Sequence, residues 1–360
     1  FPEVFLRDNP GFDVLLGNPP WEKMHVNSDS WWAGKFPGYK TLPAVEKQKF
    51  LSEISRTRPD LNLEFEEAVE SNKAVAESIV LGPYPGIGSA HIDLFAAFAW
   101  RFWTLLRKTG SLGIVLPRGA LSGAATSEWR KVLFSQAEMD VVTLLNNKGW
   151  IFPNVHAQTS VSVLSVTKEV EKPVLRMVGP YASEIEFQKA NFELIDSNNQ
   201  VDPEVFLDSS DIAAVPLLHG ENLEIFVKMN MSPKLSEKLS GWEVRPVQGD
   251  LNQTTNRDLI RFEPIGTAGA NELEVWTGKT FNIYSIENGP RVGFSKQESI
   301  QKFLMDKLKR QLNLKSSAFF GLELGRPPLD VLPFESWRIA FRDVTNRTDS
   351  RTVIFGVIPP

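Results

Sequence analysis

Cysteine is absent from the 360 residues. Disulfides, thiolate zinc sites and mechanisms with a cysteine nucleophile are therefore excluded, and a reducing, cytoplasmic setting is expected. Histidine is nearly as scarce. His25, His91, His156 and His219 are the full set, too widely spaced for the usual ligand patterns, so no metal site is expected. No apolar run approaches the ~18 residues of a membrane span. No basic segment leads into an apolar one as in a secretory signal. No membrane partner is expected.

Excess positive charge is also missing from the chain as a whole, whose net charge is −5. That argues against a wholly basic nucleic-acid binder, yet the charge is uneven. From Arg291 onward, twelve basic residues face seven acidic ones. A basic C-terminal segment on an acidic body fits a polyanionic partner, and equally an ordinary solvated surface. Hydrophobic residues at 42% and charged residues at 23% are ordinary for a globular chain, and the length suggests two domains, or three.

The N-terminal half alternates strand-like and helical segments. Phe12–Leu16 is a short apolar run closed by Gly17, the pattern of a buried parallel strand. The polar stretch that follows has helical spacing over Val45–Ser55 and Leu63–Ile79, then a Gly- and Pro-rich loop at 82–88. Asp93–Leu106 reads as an apolar helix stopped by Lys108 and Gly110. Leu112–Leu116, Asp140–Leu145 and Ser160–Val166 read as strands, and Thr126–Phe134 as a helix. This order predicts half of an open α/β sheet over residues 1–168. Strand-like pieces at Val174–Val178 and Ile185–Phe187 follow. A boundary is expected near Asn230, with one clear helix beyond it at Gln297–Gln311.

The tetrapeptide Asn18-Pro19-Pro20-Trp21 stands directly after the first strand. Two prolines lack backbone N–H groups and fix φ, giving a stiff turn at the carboxyl edge, where ligands bind in open α/β sheets. An exocyclic amine on adenine is a weak nucleophile because its lone pair is delocalised. The Asn18 side-chain oxygen and the Pro19 carbonyl can accept its two N–H groups, turning the lone pair outward toward a sulfonium methyl. Such catalysis is positioning and electrostatics, with no shifted acid or base. Trp21 offers a flat face for a base, a contact typically contributing ~1–3 kcal/mol. Without its context, the same tetrapeptide fits a structural Pro-Pro turn.

The wider pattern resembles the gamma-class adenine-N6 DNA methyltransferases, including type IIG restriction enzymes and related phage-defence methylases. Residues Phe12–Trp21 resemble the catalytic motif of that family. Asp93-Leu94-Phe95 with Trp103–Pro117 is similar to its next helix and strand, and Ile151–Thr159 to its later motif. Val275–Tyr284 and Trp337–Ile354 are similar to segments of its recognition region. Trp21 stands where Tyr is commonest, and stacking survives that change.

The resemblance implies an α/β fold: the C-terminal half of a Rossmann-like methyltransferase sheet over 1–170, a connecting region at 171–230, and a mixed α+β target-recognition domain at 231–360. It implies methyl transfer from S-adenosylmethionine to the N6 amine of a flipped-out adenine in double-stranded DNA, with no metal for methylation. Asn18, Pro19, Pro20 and Trp21 are the implied catalytic residues, and Trp21 and Phe152 the base-stacking pair. Asn18 and Asp93 are implied to meet the cofactor. Lys279, Arg338, Arg342, Arg347 and Arg351 are implied to contact DNA. Phe152 also fits core packing, and Arg338 and Arg342 also fit strand positions paired with Glu335 or Asp343.

In that family the glycine-rich cofactor loop precedes the catalytic motif, where this chain has only Phe1–Gly17. An incomplete cofactor pocket, and no activity of these residues taken alone, are therefore expected; the resemblance also leaves room for a fused or associated nuclease or other defence protein as partner. Two other functions fit the residues: a methyltransferase acting on cytosine N4, RNA guanine or protein glutamine, and a non-catalytic DNA-recognition module.

Overall fold

The computed structural model describes residues 1–88, 92–156, 159–190, 200–218, 221–234, 237, 244–282, 291–329, 331–342 and 354–358. They fall into two compact units, Phe1–Pro233 and Lys234–Pro360.

The first unit is built on one mixed sheet. Its strands are β1 (Phe12–Gly17), β2 (Leu106–Pro117), β3 (Ala137–Leu145), β4 (Ser160–Lys168), β5 (Val174–Tyr181) and β6 (Gln200–Val201), in spatial order β1-β2-β4-β3-β5-β6. All four strands expected before residue 168 lie in it. β1 runs parallel to β2 and β3 parallel to β5, whereas β4 is antiparallel to both of its neighbours. The described residues of the connection between β3 and β4 hold a single 3-10 turn, Asn147–Gly149, and no crossover helix, and β4 returns antiparallel to β3.

Side-chain alternation gives the sheet one buried face. Leu112, Ile114, Leu116, Met139, Val141, Leu164, Val166, Leu175 and Met177 are all buried there. They share a core with helices α5 (Leu94–Leu105), α6 (Ser127–Gln136), α8 (Glu204–Ser209) and α9 (Glu221–Asn230). The opposite face is open at β1, where Val14 and Leu16 are exposed.

A one-turn helix, α1 (Pro2–Phe5), precedes β1, and three helices follow it: α2 (Ser28–Lys35), α3 (Ala44–Thr57) and α4 (Pro59–Val80). They hold a separate small core in which Trp32, Tyr39 and Ile54 are buried among Trp31, Phe36, Phe50 and Phe65.

Two local readings need correction. The helix ends at Leu105, and β2 begins at once. Lys108–Gly110 is a bulge in that strand, with Thr109 at φ 59° and a register shift opposite Phe12–Val14. Ile185–Phe187 lies inside helix α7 (Glu184–Lys189). The Ser183 hydroxyl accepts the Glu186 N–H at 3.3 Å, and the Glu186 carboxylate accepts the Ala182 N–H at 2.7 Å. This reciprocal cap outweighs a three-residue alternation.

In the second unit, β7 (Arg261–Phe262), β9 (Gly293–Lys296) and β8 (Glu272–Val275) form a three-stranded sheet in that order. Helix α10 (Gln297–Leu312) buries Ile300, Leu304 and Leu308, four residues apart on one face. Strands β10 (Arg338–Phe341) and β11 (Phe355–Ile358) make an antiparallel ribbon.

Candidate active site

Asn18–Trp21 leaves the carboxyl end of β1 as the sequence requires, with Pro19 buried and Asn18 exposed at the edge. Residues 22–24 are then laced to the start of α5. Met24 N–H donates to Ile92 O at 2.7 Å, Leu94 N–H donates to Glu22 O at 3.0 Å, and Lys23 bridges Asp93. That lacing brings Trp21 beside Asp93 across 72 positions of chain.

Both line a cavity of about 390 Å³, together with Phe95, Pro117, Gly119, Thr126 and Val155 among others. Asp93 sits at the N-cap of α5, with no cap hydrogen bond from its side chain. Trp21 Nε1 is buried without a partner. An orphaned donor of this kind costs about 1–3 kcal/mol.

Phe152 meets Trp21 edge to face, with ring centroids 5.5 Å apart and planes at 86°. The two rings are already in contact, so they leave no slot for a base between them. A sandwich requires one ring to turn. The loop carrying Phe152 is held by Asn146, which is fully buried directly after β3. Its Oδ1 accepts the N–H groups of Ile151 and Phe152 at 3.1 and 3.0 Å. Its Nδ2 donates to the carbonyls of Phe152 and Val155 at 3.0 and 3.1 Å.

The cavity's other wall is fixed by Arg130. This fully buried guanidinium donates to the carbonyls of Ala120 and Gly123 and to the Thr126 hydroxyl at 2.6–2.8 Å. It also reaches the carbonyls of Ala213 and Ile212. Burial, with the neighbouring Arg118 charge, pushes it down to about 10. Neither Asn146 nor Arg130 was singled out from sequence. Asn146-Asn147-Lys148-Gly149 reads as an ordinary turn, and Arg130 as one more polar residue on a helix.

In the second unit, Arg338 Nη1 pairs with Asp250 Oδ2 at 2.6 Å rather than with Glu335. Arg342 Nη2 donates to the Phe281 carbonyl at 2.8 Å. Lys279 is exposed on the turn after β8. Arg347 and Arg351 lie outside the described residues. Among the described residues no three carboxylate or imidazole groups converge on a metal-sized site, and no helix is long and apolar enough to cross a membrane.

No protein-family model and no curated protein matches the chain. Solved structures give weak likenesses. One is a nuclease-deletion mutant of the Type ISP restriction-modification enzyme LlaGI in complex with a DNA substrate mimic, at 11% identity and a TM-score of 0.35, covering 59% of this chain and 18% of that one. Another is from work on assembly and conformational transition of the type I R-M system, at 12% and 0.32, covering 61% and 42%. A third is a candidate class I S-adenosylmethionine-dependent methyltransferase from Listeria monocytogenes, at 11% and 0.25, covering 34% and 38%. The chain spans less than half the length of each. Similarity at this level establishes no shared fold.

Proposed function

We propose that this chain carries the catalytic turn and target-reading portion of a DNA methyltransferase that modifies the N6 amine of adenine, serving restriction-modification or phage defence. The observation that carries the reading is the placement of Asn18-Pro19-Pro20-Trp21 at the carboxyl edge of a parallel strand, with Trp21 and Asp93 on the wall of one cavity. On this reading the first unit holds part of a Rossmann-like sheet and the second unit reads DNA.

Asp93 on the cavity wall supplies a carboxylate with no cap bond, which suits a cationic, hydroxyl-bearing cofactor, and Asn18, three residues before Trp21, supplies an exposed amide at the strand edge outside the cavity's lining. S-adenosylmethionine would supply an electrophilic methyl group there. Asn18 Oδ1 and the Pro19 carbonyl accept the two amine hydrogens and turn the lone pair toward that methyl. Giving up that methyl would leave the cofactor as a neutral thioether, and the amine nitrogen, held by Asn18 and Pro19, would release one proton to water. Trp21 stacks on the base and offsets part of the few kcal/mol that flipping it out of the duplex costs. Phe152 has to rotate away from Trp21 to complete a sandwich.

Arg338 and Arg342 are committed to acceptors within the second unit. Each spends one guanidinium nitrogen this way, so exposed Lys279 is the better described candidate for a phosphate contact, and Arg347 and Arg351, outside the described residues, stay candidates on the resemblance alone.

The test is to express the encoding gene in a host without adenine methylation and sequence the genome by single-molecule methods. Wild type should place N6-methyladenine at one fixed motif, and Asn18→Ala should abolish it. An Asn18→Ala variant that methylates at the wild-type rate refutes the role given to Asn18.

A further inference from the structure

Asn146 has no part in the chemistry above, yet it is the most completely engaged amide beside the site. It is 0% exposed and uses both ends of its side chain on a loop that carries one aromatic ring of interest. Two backbone N–H groups converge on Oδ1 and two carbonyls on Nδ2. Three of the four bonds fall on Phe152 or on the residue before it. A carboxylate could satisfy only the first pair, and a leucine neither.

The ring thus anchored makes the edge contact with Trp21. Trp150 adds a second tie, its Nε1 donating to Leu145 O at 2.7 Å. The Asn146 backbone N–H donates to Thr159 O at 3.0 Å, so the loop's far end is tied to the same residue.

We propose that Asn146 is a positioning residue for Phe152. Its buried amide fixes the Phe152 backbone, so that the Trp21–Phe152 pair opens for a base by rotation of the Phe152 side chain alone. The base-binding part rests on the function proposed above; the positioning part does not.

The 360-residue chain labelled with 5-fluorotryptophan separates the two. The Trp21 fluorine resonance is assigned by its loss in Trp21→Phe. Phe152→Ala should shift it, because the ring current disappears. Asn146→Ala and the milder Asn146→Ser should shift it in the same direction, leave the eight tryptophans other than Trp21 and the loop's own Trp150 in place, and add nothing in the Phe152→Ala background. A wild-type far-UV circular dichroism spectrum and a cooperative melt of Asn146→Ser, at a lowered midpoint because four buried bonds are lost, guard against general unfolding. A folded Asn146 variant with an unmoved Trp21 resonance, or effects that simply add to Phe152→Ala, overturns the proposal.

A 2-aminopurine trinucleotide is then titrated. Trp21→Ala should weaken its binding about tenfold, and Asn146→Ser by a smaller factor. Unchanged binding in Trp21→Ala refutes the base-binding reading, while the fluorine shifts still decide the role of Asn146.

Discussion

Replacing Arg130 with methionine tests how the cavity wall is built. Its guanidinium is fully buried and donates to five oxygens: those of Ala120, Gly123, Thr126, Ile212 and Ala213. None belongs to a carboxylate, so the charge is held by dipoles alone. A hydrogen bond from a charged donor contributes about 1.5–3 kcal/mol net, but five such terms overstate the total. Moving a guanidinium out of water costs several kcal/mol, and methionine removes that cost as well. The Thr126 hydroxyl still donates to Ala120 O at 2.8 Å, so what remains is the carbonyls of Gly123, Ile212 and Ala213 short of a donor, at about 1–3 kcal/mol for each that water cannot reach. A net loss of about 3–5 kcal/mol follows, a large fraction of typical domain stability. Urea unfolding followed by far-UV circular dichroism should show the midpoint fall by about 1 M or more at an unchanged slope. Arg130→Lys keeps the charge and loses the planar fork, so it should recover only part of the loss. A midpoint within about 0.3 M of wild type for Arg130→Met would refute the clamp.

Four other outcomes follow. Gly179→Ala should destabilise the first unit by more than about 1 kcal/mol in urea, since φ there is +89° and a Cβ would collide with the Thr143 carbonyl. Trp32→Ala should cost about 3–5 kcal/mol of local stability, read by hydrogen exchange as lost protection centred on residues 28–65, which hold the small core, and fading toward Ala76, Ile79 and Val80, which pack on the core of the sheet. Arg7 and Arg107 hold the Asp13 carboxyl below its ordinary 3.8. The unfolded chain then binds more protons near that pH, so the stabilisation is present above 3.8 and lost as pH falls through the folded value. Wild type and Asp13→Asn should therefore converge in stability in acid; a constant difference down to the lowest pH would refute the linkage. Asp250→Asn should loosen the second unit by leaving Arg338 half-buried without its counter-charge, visible as a lower urea midpoint that Arg338→Met in the same chain partly restores.

Much of the first unit was legible because its signals are local. Phe12–Leu16, Leu112–Leu116, Asp140–Leu145 and Ser160–Val166 are apolar runs bounded by breakers, and each lies within an observed strand. Two helices were legible from spacing over Val45–Ser55 and Leu63–Ile79, which fall inside α3 and α4. α2 was missed although Asn27 caps it, accepting the Ser30 N–H at 2.9 Å; its tryptophan pair packs against residues far along the chain, and no short window shows that. Lys108–Gly110 carries the composition of a helix stop and serves as a strand bulge, because pairing with β1 decided the conformation. Trp21 and Asp93 were named from sequence, but that they share a cavity comes from the lacing of residues 22–24 to 92–94. Asn146 and Arg130 were illegible for one reason: each acts through backbone carbonyls and N–H groups, which any residue supplies, so sequence holds no partner to pair them with.

The central claim is the identity of the atom that receives the methyl group. The full-length protein that carries this chain, incubated with DNA and tritium-labelled S-adenosylmethionine, should yield on nucleoside digestion and mass spectrometry one labelled product, N6-methyl-2′-deoxyadenosine, which Asn18→Ala eliminates. Label in N4-methylcytosine, in RNA or in protein, or equal adenine labelling by Asn18→Ala, would contradict it.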